Sequence, residues 1–326
     1  MSLASPSFDT LQRRHRDRPL STGKRVTLQE RDWLWLQKIH QHGPLASSEL
    51  HAFSRHLCTS PKRARDRLTD LFNEERTPHG GAYLMRPQQQ FARLDARYHE
   101  LVHDLAPAGE HALREAGLWH DTAGGASGPW KHRRLVAAIT AAIEQETIRR
   151  GDLGFIPQHA ILDRAQTTLR HLVPFGNPVT GKTETRDLIP DALFGLEYHT
   201  QDGLRFRFFV VEADRGTEPA RASSFNRKSH QRTFLQYIQY VGRGLYKPHL
   251  NLTSGLLVLH VTTRAVTFDG MLRLMDSIAP RGCNYQLFRL MPEEGVPALD
   301  GGEGSGWAQA PWLRNAAQRH FDIFMP

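Results

Sequence analysis

The chain has 326 residues, enough for two ordinary domains, and 39% hydrophobic with 23% charged content fits a packed core rather than a disordered polymer. Lys and Arg number 42 against 34 Asp and Glu, a formal net charge of +8, which favours polyanionic partners such as nucleic acid or an acidic membrane surface. No apolar run reaches the ~20 residues of a membrane span, and Cys58 and Cys283 lie too far apart for a disulfide framework or zinc cluster. The N-terminus also lacks an apolar signal core, so a cytoplasmic protein is expected.

Residues 1–25 carry Arg13, Arg14, Arg16, Arg18, Lys24 and Arg25 and read as a basic, unstructured arm. Thr27-Leu-Gln-Glu30 has the pattern of a capping box and predicts a helix over 27–41 that Gly43-Pro44 terminates. A short helix follows near 47–55. Ser60-Pro61 then opens a third, with Ala64, Leu68, Leu71 and Phe72 as its apolar stripe. Strand-like pieces at 82–86 and 90–94 follow a Gly-Gly turn. Three helices and a hairpin give the order of a winged helix-turn-helix over 26–120. The third helix then occupies the recognition position, where Lys62, Arg63, Arg65 and Arg67 are candidate DNA contacts. Asp66 and Asp70, interleaved among them, equally fit an ordinary solvated face. A helix pair at 98–117 closes the domain, and the Gly-rich stretch 121–129 is a linker.

After the linker, 130–150 reads as one long helix. Residues 186–196 and 205–213 read as strands, the second an apolar run of buried-strand length. An amphipathic helix over 224–241, a buried strand at 256–262, a helix at 265–278 and a strand at 285–291 complete a mixed sheet flanked by helices over 130–295. Residues 155–162 fit a strand or an irregular piece, and 163–185 fit no single element. The remaining 296–326 read as a Gly-rich loop and a short tail. Residues 176–183 (GNPVTGKT) evoke a phosphate loop, but they lead into a strand rather than a helix, so nucleotide binding is rejected.

The chemistry concentrates at Pro190-Asp191 and Glu212-Ala-Asp214. Adjacent strands can bring Asp191 and Glu212 side by side, and period-two alternation puts Glu212 and Asp214 on one sheet face. Glu212 directly follows an apolar run, where an unpaired charge is costly. Clustered carboxylates of this kind suit a hard divalent ion, Mg²⁺ or Mn²⁺, and the phosphodiester chemistry such an ion supports. Tyr237, Tyr240 and Tyr246 are alternative nucleophiles for a phosphotyrosine link, although three-residue spacing on a helix is also core spacing.

PD…ExD set in this order of helix, hairpin, strand, helix and strand resembles the PD-(D/E)XK restriction-endonuclease-like fold. Val211-Glu-Ala-Asp-Arg-Gly-Thr217, followed by a helix with Tyr237 and Tyr240, is similar to the replication-relaxation family of bacterial mobile elements. That family joins a winged helix to such a core and includes relaxases of the MobC class; the resemblance spans about 27–290 by element order. It implies metal binding by Asp191, Glu212 and Glu144, the last standing for the first-helix glutamate of many such nucleases. Asp214 stands where the fold's lysine belongs, which leaves Lys228, or Arg232, to supply the missing cation. The implied activity is that of a metal-dependent DNA endonuclease or nickase in plasmid or phage mobilisation and replication. The alternative is a non-catalytic DNA-binding accessory factor or regulator with a degenerate nuclease fold. A symmetric double-strand cut would require a homodimer.

Overall fold

The computed structural model describes residues 16–92, 99–124, 128–221, 225, 227–291, 306–316 and 320–326. The chain divides into two compact units, Met1–Trp119 and His120–Pro326.

In the first unit, α1 (Glu30–His42), β1 (Leu45–Ala46), α2 (Ser47–Phe53) and α3 (Pro61–Asn73) are followed by β2 (Leu84–Met85), β3 (Val102–Leu105) and α4 (Pro107–Glu115). The three strands form a small antiparallel sheet in the order β1-β3-β2. Sequence and structure agree on α3, whose N-cap Ser60 accepts from the Arg63 amide. They differ on α1: the reciprocal cap is made by Gln29 and Asp32, the Gln29 amide donating to Asp32 Oδ2 at 2.9 Å, so the helix starts later than Thr27. The expected second strand at 90–94 is a 3-10 turn, Gln88–Phe91, as far as the described residues go. The partner of β2 comes instead from 102–105, because the Gln90 side chain bonds both backbone groups of Val102 and turns the chain back there.

Residues 16–25, expected as part of a free arm, run along this unit. Ser21 and Thr22 donate to the buried Glu74 carboxylate, Lys24 pairs with Asp70, and the buried Arg86 guanidinium donates to the Arg16 carbonyl. Arg13 and Arg14 lie outside the described residues.

The second unit opens with α5 (Trp130–Arg150), followed by β4 (Leu153–Ile156), α6 (Gln158–Ala165), β5 (His171–Gly176), β6 (Thr183–Leu188), β7 (Ala192–Thr200) and β8 (Gly203–Asp214). Then come α7 (His230–Tyr240), α8 (Tyr246–Leu250), β9 (Leu256–Thr262), α9 (Ala265–Ile278), β10 (Gln286–Leu290), α10 (Gly306–Gln309), β11 (Trp312–Leu313) and β12 (His320–Phe321). The result is a mixed α/β unit on a seven-stranded sheet, ordered β12-β11-β10-β9-β8-β7-β4. β8, β9 and β10 run parallel, and β7 pairs antiparallel with β8 on one side and with β4 on the other.

Residues 208–214 of the interior strand β8 are buried on both faces because their apolar run fills two cores. Phe209, Val211 and Ala213 pack under α5 with Leu135, Ile139, Ile143 and the C-terminal Trp312 and Phe324. Phe208 and Val210 pack on the other face with Tyr237 and Tyr240 of α7. The stretch left unassigned between 163 and 185 holds β5 and the start of β6, which form a separate hairpin, so the single strand expected over 186–196 is divided between β6 and β7. The phosphate-loop-like residues form the hairpin's turn, where Asn177 Oδ1 accepts from the Val179 and Thr180 amides. The helix expected from 224 begins only at His230, capped by Ser229.

Candidate functional site

Pro190 separates β6 from β7 and leaves Asp191 just ahead of β7, opposite the end of β8. Asp191 is fixed there twice: its amide donates to the Val211 carbonyl at 2.9 Å, and its Oδ2 accepts from the Ala213 amide at 2.8 Å. Its other oxygen, Oδ1, lies 3.0 Å from His132 Nε2 in the first turn of α5. That hydrogen bond, opposed by burial, raises the His132 pKa above its ordinary value.

Glu212 is the next residue in register and is 6% exposed. Tyr237 donates its hydroxyl to Oε1 at 2.6 Å, and Lys228 Nζ donates to Oε2 at 3.1 Å. The same ammonium is 3.1 Å from Glu218 Oε1. Burial pushes the Glu212 carboxyl up to about 7 against the pull of Lys228, with Asp191 adding like-charge repulsion. The Lys228 ammonium is held well above its usual range, chiefly by Glu212, because three carboxylates surround it. Its side chain remains 41% exposed, so the cation bridges the buried pair and the solvent.

Of the residues singled out from sequence, Asp191, Glu212 and Lys228 therefore meet, and Glu144 and Asp214 do not join them. Glu144 is buried on α5, but the first turn of that helix is what meets Asp191. Twelve residues further on, at 1.5 Å of rise each, Glu144 lies about 18 Å along the axis. Asp214 does share the Glu212 face of β8, yet it organises the following loop. Its Oδ1 accepts from the Thr217 and Glu218 amides at 3.0 and 3.2 Å, and His230 Nε2 lies 3.3 Å from Oδ2. Burial alone would raise the Asp214 carboxyl, but His230 and the two amides outweigh it and hold the pKa below its ordinary value.

The tyrosines are interior groups. Tyr237, Tyr240 and Tyr246 are all buried; Tyr240 Oη lies 2.6 Å from His249 Nδ1, and Tyr246 donates to the Ser254 carbonyl. Burial raises the pKa of each phenol, the reverse of what a nucleophile needs. The outer donors His132 and Tyr237 were not assigned to the carboxylates from sequence. Nothing in the chain pairs them with residues 59 and 25 positions away.

On α3 of the first unit, Lys62, Arg63 and Arg65 are exposed. Arg67 is not a surface group: its Nε lies 3.1 Å from Asp32 Oδ2 and its Nη2 donates to the Thr27 carbonyl at 2.7 Å. Asp32 is 0% exposed, so Arg67 serves as the counter-ion of a buried carboxylate.

The centre of the second unit thus presents two sheet-fixed carboxylates, each with one outer hydrogen-bond donor, and one mobile-length cation between protein and solvent. Among the described residues no group of three or more His, Cys, Asp or Glu is arranged to hold a metal ion. The Asp191–Glu212 pair is still the hard-oxygen donor set that suits Mg²⁺ or Mn²⁺, which keeps several waters and takes as few as one or two protein carboxylates. Comparison with known proteins matches residues 36–256 to the family model described as replication-relaxation. No curated protein and no solved structure matches the chain.

Proposed function

The chain belongs to the replication-relaxation family, and from that premise we propose that it is a DNA-acting protein of replication or mobilisation, whose second unit is a nuclease or nickase centre built on Asp191, Glu212 and Lys228. The observation that carries this reading is the 3.1 Å contact of Lys228 Nζ with Glu212 Oε2. It returns to the carboxylate pair the cation that Asp214 cannot provide. The order α5, β4, β7, β8, α7, β9, with Asp191 just ahead of β7 and Glu212 near the end of β8, supports a PD-(D/E)XK-like assignment. Helices α1, α2 and α3 and the small antiparallel sheet of the first unit support a winged-helix assignment, with Lys62, Arg63 and Arg65 of α3 as DNA contacts.

In this mechanism Asp191 and Glu212 would hold Mg²⁺ or Mn²⁺, which when bound supplies Lewis-acid polarisation of a phosphodiester. The chain's own groups do the rest. The Ala213 amide and His132 orient Asp191, and Tyr237 orients Glu212. The Lys228 ammonium, reachable from solvent, meets the negative charge that grows on phosphate oxygens as the P–O bond breaks. Glu144 and Asp214 take no part.

A second reading, a DNA-binding accessory factor without cleavage, is favoured by the commitment of Asp214 to its loop and by the absence, among the described residues, of a group of three or more His, Cys, Asp or Glu arranged to hold a metal ion. A supercoiled-plasmid nicking assay with Mn²⁺ separates the two. Cleavage by the wild type that disappears in Glu212→Ala supports the nuclease. DNA binding with no cleavage in either protein establishes the accessory role. No helix among the described residues is long and apolar enough to cross a membrane; a cytoplasmic location with plasmid or nucleoid DNA is proposed from the DNA-acting reading alone. A homodimer is proposed only for a symmetric double-strand cut.

A further inference from the structure

Beyond the carboxylate centre, the chain continues from Asp214 into Arg215, Gly216 and Thr217. This stretch is pinned. Asp214 Oδ1 binds the Thr217 and Glu218 amides, and the Asp214 carbonyl accepts from the Thr263 amide at 3.3 Å on the neighbouring strand's exit. Gly216 has φ +74, and Arg264 lies directly across it. A Cβ at Gly216 would stand 2.8 Å from Arg264 Cγ and closer still to Cδ. Only glycine leaves room for the arginine to take this path, and only glycine adopts that backbone angle without strain.

Arg264 is exposed and Arg215 partly so. Among the described residues neither guanidinium has a carboxylate partner, whereas nearby Lys228 has two. Arg221 and Arg227, on the same connection, are also exposed. A parallel register of Asp214 with Thr262 puts Arg215 and Arg264, one and two residues further on, at the carboxyl ends of β8 and β9, the edge of an α/β sheet where ligands bind. Gly216 is four residues past Glu212, which at strand rise is at most about 13 Å.

We propose that Arg215 and Arg264 form a phosphate-binding rim that grips the nucleic-acid backbone beside the Asp191–Glu212 centre, with Gly216 as the seat that lets Arg264 lie flat. This rests on the reading of the protein as DNA-acting. An arginine left without a carboxylate, exposed and braced against a fixed loop, is suited to a phosphate because its planar fork is already oriented. The rim adds affinity and direction, and it carries no base specificity.

The test is fluorescence anisotropy with labelled single-stranded and duplex oligonucleotides across a range of NaCl concentrations, using the full chain. Arg264→Ala is expected to weaken binding several-fold and to lower the slope of log K against log salt by about 1, and Arg215→Ala with Arg264→Ala by about 2. Arg264→Lys, which keeps the charge, is expected to retain the wild-type slope. A purely packing role over Gly216 would leave the slope of Arg264→Ala unchanged. Wild type that binds DNA together with an unchanged slope in Arg264→Ala overturns the rim. Wild type that binds neither oligonucleotide overturns the DNA-acting reading itself.

Discussion

Lys228 Nζ lies 3.1 Å from Glu212 Oε2, although the lysine comes from the loop before α7 and the glutamate from strand β8. The contact makes the charge of the centre depend on a residue outside the sheet. Replacing Lys228 with Met leaves Glu212 buried against Asp191 and Glu218 with its main cation gone. The Glu212 carboxyl is then expected to titrate above the wild-type value of about 7, and any nicking activity to fall at least about 100-fold, the scale of losing one electrostatic stabiliser. A carboxyl-region NMR titration and the plasmid assay check the two halves separately.

Glu212 also sets a pH dependence of stability. Its carboxyl sits near 7 in the fold, chiefly through burial, against 4.5 unperturbed. The native state therefore binds more protons than the unfolded chain between those values, and stability falls as pH rises through that window. His132, raised above its ordinary value by Asp191, contributes stability at low pH that is lost as pH rises through its folded pKa, the same sign. At about 1.4 kcal/mol per pH unit, the Glu212 contribution is on the order of 3 kcal/mol. Denaturant unfolding of wild type against Glu212→Gln from pH 4 to pH 8 should show the difference shrinking in the variant; equal slopes would contradict the burial argument.

Tyr237→Phe removes only the hydroxyl that donates to Glu212 Oε1 at 2.6 Å. The ring stays buried, so packing is conserved, and the loss of one hydrogen bond to a buried carboxylate is expected to cost about 1–3 kcal/mol. Thermal unfolding measures the cost. The same variant should raise the Glu212 pKa further, because the phenol now helps to lower it.

On α3 the four basic residues separate by role. Arg67→Ala leaves Asp32, whose side chain is fully buried, with the Gln29 amide and the more distant Arg31 Nε at 3.9 Å, and is expected to destabilise the first unit by about 3 kcal/mol, the lower end of the scale for breaking a buried pair. Ala at Lys62, Arg63 and Arg65 should leave stability within about 0.5 kcal/mol while weakening DNA binding. Paired melting and binding curves distinguish the two classes, and a stable Arg67→Ala protein would refute the assignment.

Local signals in the sequence were strong wherever short-range chemistry decides structure. Ser60-Pro61 marked the start of α3, and 130–150, 256–262 and 265–278 match α5, β9 and α9, since a cap, a Gly stop or an apolar run of fixed length is written in neighbouring residues. The Asp191–Glu212 pairing was legible for the same reason: a hairpin brings together the start of one strand and the end of the next. The alternation placing Glu212 and Asp214 on one face was correct, but not that the strand ends there and turns Asp214 to loop amides. Glu144 could not be excluded from spacing, because only the docking direction of α5 decides which end of a helix meets the site. His132 and Arg67 illustrate the same gap, each being defined by a partner far away in the chain.

The double attachment of Asp191 to β8, through its own amide and through the Ala213 amide, locks both acids to a single rigid ladder, while the opposing cation is carried by the connection to α7. Acid and counter-charge are thus separable modules. The acids are set by the ladder, and the charge that faces them is set by the connection between β8 and α7, so a substitution at Lys228 changes the electrostatics of the centre while the backbone bonds that hold Asp191 to β8 remain.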